Sequence, residues 1–201
     1  RERVADELLK LLALPDPVPT LALMDEGRIW RAVLPEADSD SVARVAKLVA
    51  NEQAMGVEAD AVRRLVAFLP EQADVARGIA YKLKLSNLIR KRIVKVRGAG
   101  SDMLTRHPRA AAHALGIEGA RDLWLINGDS AALGQAMADL TGWTVPRLPI
   151  GGGAIVARGI AKGPEVARLL QLVETQWVAE GFPDAARVEA IADAVVAGEK
   201  G

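Results

Sequence analysis

Apolar positions along the chain recur at three- and four-residue spacing almost throughout, the period of helices buried along one side. In 1–12, Val4, Leu8, Leu11 and Leu12 share a face, and Arg3 and Glu7 stand at i,i+4, where opposite charges can pair. Pro15, Pro17 and Pro19 end that helix and start the next, which runs through 21–25 and is capped at Gly27. A short apolar helix over 29–34 stops at Pro35. The spacing then predicts helices over 42–54 (Val42, Val45, Ala46, Val49) and 58–69 (Val62, Leu65, Val66, Leu69), with Gly56 between them. A third starts at Pro70 and carries Val75, Ile79 and Leu83. Ser86 and Asn87 cap a helix whose inner face is Leu85, Ile89, Ile93 and Val96. A short buried helix over 121–126, with Leu123, Trp124 and Ile126, turns at Asn127-Gly128 into one capped by Asp129 or Ser130 and striped by Leu133, Ala136, Met137 and Leu140.

Beyond Gly142, Pro146 and Pro149 comes a glycine turn, Gly151, Gly152 and Gly153, and an apolar segment over 154–157 that Gly159 can close in the left-handed conformation. Pro164 opens a helix with Val166, Leu169, Leu170, Val173 and Trp177 on one face. After a break at Gly181-Phe182-Pro183, Asp184 caps a last helix with Val188, Ile191, Ala192 and Val195. The pattern predicts an all-α fold: a multi-helix array without a fixed-period repeat, ending in a helical hairpin and a C-terminal helix.

Composition agrees with packed helices. Half of the 201 residues are hydrophobic but only 3% are aromatic, which favours aliphatic helix contacts and allows one or two domains. No cysteine is present, which excludes a disulfide framework and a thiolate metal site and permits a reducing compartment; the expected location is the cytoplasm. No apolar run approaches the length of a membrane span, so no membrane partner is expected.

Net charge is zero, which argues against a uniformly basic nucleic-acid binder. The distribution changes the picture. Residues 77–97 hold eight basic side chains (Arg77, Lys82, Lys84, Arg90, Lys91, Arg92, Lys95, Arg97) and no acid. Arg90, Lys91 and Lys95 fall opposite the apolar face, with Arg92 and Arg97 nearer its edges. Such a local field can bind phosphate; the alternative is a solvated face paired with acids from elsewhere in the chain. The tail offers a second candidate. Backbone amides around Gly151, Gly152, Gly163 and Pro164 lie at helix starts, where anions bind, with Arg158 and Arg168 nearby. By pattern alone, a capped hairpin packed in a core is the commoner outcome.

Other chemistry is weakly represented. Asp38-Ser39-Asp40 has the i,i+2 carboxylates of a nucleotidyl-transfer metal site, but it precedes a helical pattern and is read as a cap. His107 and His113 are six apart, which is not the spacing of a helical metal pair. No Ser-His-Asp set and no phosphate loop with Lys-Ser/Thr is present, so no catalytic or metal-binding residue is expected.

Several of these segments resemble bacterial CCA-adding tRNA nucleotidyltransferases and their poly(A) polymerase relatives. Gly152, Ile155, Gly159, Gly163, Pro164, Val166 and Leu170 follow the family's tail pattern, with Ala154 where the family often has Asp. Leu83-Lys84-Leu85-Ser86-Asn87 is similar to its LRLSN motif, and 22–36 (ALMDEGRIWRAVLPE) to its segment ending in LPE. Arg3-Val4-Ala5-Asp6-Glu7-Leu8 resembles a helix that supports the family's neck. The resemblance implies neck-end helices over 1–37, a helical body over 38–142, and a tail hairpin with C-terminal helix over 143–201. It also implies a piece of a longer enzyme, inactive alone because the catalytic head is missing. That head would carry Mg²⁺ and the CTP and ATP sites and would itself be a partner. This piece would hold tRNA, or another RNA 3′ end, through Lys82, Lys84, Ser86, Asn87, Arg90, Lys91, Lys95 and the tail residues above. The residues separating CCA from poly(A) addition would lie in the head and neck. Two other classes fit the residues: a helical protein-interaction scaffold, and a DNA-binding helix-turn-helix module.

Overall fold

The computed structural model describes residues 1–37 and 39–199. These are helices and connecting loops with no strand among the described residues, and they divide into two units, Arg1–Trp143 and Thr144–Gly201. The first holds α1 (Glu2–Leu12), α2 (Val18–Glu26), α3 (Ile29–Val33), α4 (Ser41–Met55), α5 (Ala61–Phe68), α6 (Ala73–Lys82), α7 (Asn87–Gly98), a 3₁₀ turn (Ser101–Leu104), α8 (Pro108–Leu115), α9 (Ile117–Asn127) and α10 (Ser130–Leu140). The second holds α11 (Gly152–Ala157), α12 (Pro164–Ala179) and α13 (Ala185–Glu199).

One core runs through the first unit, from Ala5 on α1 to Leu140 on α10. Its centre is α5, which packs against α1, α4, α7 and α9 and is buried from Arg63 to Phe68. Asp60 explains where α5 starts. Its carboxylate accepts the Val62 and Arg63 amides at 2.8 and 2.9 Å, so the helix begins at Ala61 and not at 58 as the spacing predicts. The N-terminal helices are fastened to α5 from two sides. The Trp30 ring lies 4.7 Å from Phe68, and its indole N–H donates to the Leu21 carbonyl at 3.3 Å. Arg64 donates to the carbonyl of Leu12, the last residue of α1, at 2.9 Å.

Three further expectations are corrected. Glu7 pairs with Lys10 at 3.0 Å instead of with Arg3. Val75 is 40% exposed, and the inner face of α6 is Ala76, Ile79, Ala80 and Leu83. The triple glycine is not all turn: Gly151 takes the N-cap position and α11 starts at Gly152. Asp40 stands at the N-cap of α4, while Asp38 lies outside the described residues.

The second unit closes a core of its own around Ile155, Leu169, Val173, Trp177, Val188 and Ile191. Gly152 lets α11 pack tightly on α12, since a Cβ there would stand 3.1 Å from the Val166 side chain. Trp177 meets Phe182 edge-on at 4.9 Å and donates to the Pro183 carbonyl at 3.0 Å, pinning the break before α13.

Candidate nucleic-acid interface

Several arginines of the first unit are spent on contacts inside it. Glu52 on α4 accepts from Arg63 and Arg64, each at 2.9 Å. Asp122 on α9, 0% exposed, accepts from Arg63 at 2.9 Å and from Arg92 on α7 at 2.6 and 2.8 Å. Arg92 also reaches Asp60 at 2.8 Å. Three arginines thus meet three carboxylates, and a buried charge set survives only when balanced and hydrogen-bonded in this way. Burial works against the Asp60 charge, but the Arg63 amide and the Arg92 guanidinium outweigh it and hold the carboxyl below its ordinary value. The bond to Asp122 pushes Arg92 further up, against its partial burial.

Arg97 belongs to the interior as well, which corrects its placement near the edge of the apolar face. It is 9% exposed and donates to the carbonyls of Val66, Ala67 and Leu69. Arg44 donates to Ala67, Phe68 and Leu69. Two guanidinium groups therefore satisfy the open carbonyls at the C-terminus of α5, where the helix dipole favours cations.

The turn between α6 and α7 is built by two local devices. The Lys84 amide donates to Tyr81 at 2.9 Å and the Leu85 amide to Ala80 at 3.1 Å, the paired bonds of a Schellman motif. Lys84 has φ 55° and fills the left-handed position that glycine usually takes. Ser86 then caps α7, its hydroxyl accepting the Ile89 amide at 3.3 Å. Lys82 pairs with Glu36 at 2.6 Å and holds that carboxyl below its ordinary value; Lys84 reaches Glu2 at 3.3 Å. Two of the expected RNA-facing cations are thus engaged by acids from 1–37, and Arg77 pairs with Asp74 at 2.6 Å.

Arg90, Lys91 and Lys95 stand apart. Arg90 lies over the Tyr81 ring, 4.6 Å from its centre, held by the Leu85 carbonyl at 2.8 Å and by the side-chain oxygen of Asn87. Lys91 and Lys95 are exposed one turn apart on α7, and no carboxylate pairs with any of the three among the described residues. Of eight cations in 77–97, these three keep their charge for the surface.

The two tail arginines expected to face RNA are paired with acids of their own unit. Arg158, its side chain 17% exposed, pairs with Glu189 at 2.5 Å and Asp193 at 2.7 Å. Arg168 pairs with Glu165 at 2.7 Å and with Glu199. Glu165 sits in the first turn of α12, where it already offers negative charge to the helix dipole. Gly163 is the N-cap residue, nearly fully extended at φ 159°, and Pro164 is the first residue of the helix.

Sequence reasoning missed the interior roles of Arg63, Arg64, Glu52 and Asp122. The available signal was two adjacent arginines inside an otherwise apolar run, LVAF following RR. It missed Tyr81 too, an exposed aromatic within the most basic stretch.

Residues 1–41 match a family model described as "Probable RNA and SrmB- binding site of polymerase A", while LSN and the tail hairpin lie outside the matched residues. No match is found among curated proteins. Over α1 to α3, then, the chain is similar to an RNA-binding region of the poly(A) polymerase family, and acids of that same stretch, Glu2 and Glu36, hold the α6–α7 turn.

Proposed function

We propose that the chain is the RNA-binding part of a poly(A) polymerase or CCA-adding nucleotidyltransferase, gripping RNA by its backbone while a separate head adds nucleotides. The match of 1–41 to an RNA-binding region carries this reading. It is supported by the free cationic face of α7, because phosphate contacts need charge that the protein itself has not neutralised. The RNA contact is assigned to Arg90, Lys91 and Lys95 rather than to Arg158 and Arg168, whose charges are balanced within the tail. Mg²⁺ and the nucleoside triphosphates belong to the head in this proposal, as the CCA-adding resemblance implies. tRNA is the proposed RNA, in line with the CCA-adding resemblance.

The test is binding of tRNA and of duplex DNA to the chain across a salt series. Affinity for tRNA should fall linearly with salt on logarithmic axes. Equal affinity for duplex DNA would favour a DNA-binding module, and salt-independent or absent RNA binding would remove the proposal.

One observation favours a protein partner as a second reading. A largely apolar groove of about 390 Å³ runs between α1, α2 and α3, lined by Val4, Leu8, Leu11, Met24, Trp30 and Val33. It lies within the matched stretch, whose description also names SrmB. Capture of a protein by this groove should persist at salt that releases RNA, since apolar burial is not screened.

A further inference from the structure

We propose that Tyr81 and Arg90 form a stacking platform for one unpaired RNA base, so that the α6–α7 corner prefers single-stranded RNA over duplex. The inference rests on the RNA-binding reading above and adds to it a base contact and a strand preference.

An aromatic ring at a helix end is usually turned inward, because burying it is favourable. Tyr81 is instead 61% exposed. One face of the ring is covered by the Arg90 guanidinium at 4.6 Å. That guanidinium is not loosely placed: the Leu85 carbonyl holds it at 2.8 Å and the Asn87 side chain holds it from the other side. The ring and the planar cation are therefore already oriented, and a flat ligand meeting them has little side-chain entropy left to remove. On α7 itself Leu88 is 79% exposed, two residues before Arg90 and so on another side of the helix. Leu88, Lys91 and Lys95 follow one another at three- and four-residue spacing, so they form one stripe along α7.

The chemistry of this patch is mixed. The lysines and the guanidinium all suit a phosphate. An exposed tyrosine ring adds nothing for a phosphate, but with the guanidinium plane against it the ring suits the face of a base, which stacks on aromatic and guanidinium planes. In a duplex those base faces are covered by their neighbours, so only an unpaired nucleotide can use the platform while its backbone runs past Lys91 and Lys95. No acid is paired with this group of cations among the described residues, which leaves the patch open to an anionic strand.

The test compares the chain with Tyr81→Ala, Tyr81→Phe and Lys91→Ala/Lys95→Ala, using a short oligo(A) RNA and a blunt-ended RNA duplex without loops as probes. Melting temperature is measured on the same samples. Tyr81→Ala should weaken oligo(A) binding by about 5- to 100-fold, the loss of one stacked base, and leave the salt slope unchanged. Duplex binding should not change, and Tyr81→Phe, which keeps the ring face, should bind as the parent chain does. The lysine pair should weaken both probes and flatten the salt slope. Unchanged oligo(A) binding by Tyr81→Ala, with the lysine variant impaired, would overturn the platform and leave the RNA-binding reading standing. An equal loss on oligo(A) and duplex would also overturn it. Failure of the parent chain to bind either RNA would remove both.

Discussion

The inner side of α5 and the outer side of α7 carry similar cations to opposite ends. On α5, Arg63 and Arg64 are almost wholly buried and each meets a carboxylate at 2.9 Å. On α7, Lys91 and Lys95 are exposed and meet none among the described residues. The difference shows that a run of basic residues does not define a cationic surface. What defines it is which of those residues find acids when the chain folds. Here the acids come from other elements, Glu52 and Asp122 for the arginines of α5, and Glu2 and Glu36 for the lysines of the α6–α7 turn, all but Glu52 from far away in sequence. A neutral protein can still present a local positive patch, because its acids are used elsewhere.

The comparison breaks most visibly at Asp122. Asp122→Ala leaves Arg63 and Arg92 without their shared buried partner and should cost about 3–5 kcal/mol, since an uncompensated buried charge is far worse than a missing pair. Urea unfolding followed by circular dichroism reads this directly; a loss no larger than that of an exposed pair would mean that the set is not the interior brace described.

A smaller effect is expected at Asp60, which caps α5 and holds Arg92. Asp60→Ala should cost about 1–2 kcal/mol at neutral pH, the scale of a lost cap. The pH dependence has a definite sign. The folded carboxyl titrates below its ordinary value of 3.8, so its contribution is complete above that value and fades as pH falls through the lowered one. The stability gap between parent and variant should therefore narrow in acid. A gap that stayed constant to low pH would show that the carboxylate charge contributes nothing.

At Lys84 the expected change is smaller again and favourable. Glycine at this left-handed position relieves backbone crowding, and the exposed pair with Glu2 is worth only about 0–1 kcal/mol. Lys84→Gly should hold the melting temperature or raise it slightly. A clear fall would assign Lys84 a structural role that the Schellman turn does not explain.

Much of the fold can be read from the chain because it rests on local rules. Ser86, Asp129 and Asp184 cap their helices as expected, each accepting an amide of the first turn, and Pro164 opens α12. The stripe Leu169, Val173, Trp177 is buried as its spacing requires. The reading fails where a distant residue decides. Arg63 and Arg64 look like the polar side of an amphipathic helix until Asp122, 59 residues after Arg63, arrives beside them. Val75 has the right spacing for the core, but α6 is packed through Ala76 and Ala80, which allow a closer approach to its neighbours. Arg158 likewise reads as a free cation, because the acids that neutralise it lie more than 30 residues downstream, on α13.

The central claim is that Lys91 and Lys95, left without acids by the fold, are where RNA phosphate is held. Lys91→Ala/Lys95→Ala should leave the melting temperature unchanged, since both side chains are exposed and no acid pairs with either among the described residues. The salt dependence of tRNA binding should flatten by about 0.7–0.9 in the log–log slope for each contact removed, or about 1.5 for the pair. The decisive measurement is that slope, taken for parent and double variant over the same salt range. A flattened slope at equal stability is the predicted result. An unchanged slope, with tRNA still bound, would show that the RNA is held elsewhere and that the outer face of α7 is merely solvated.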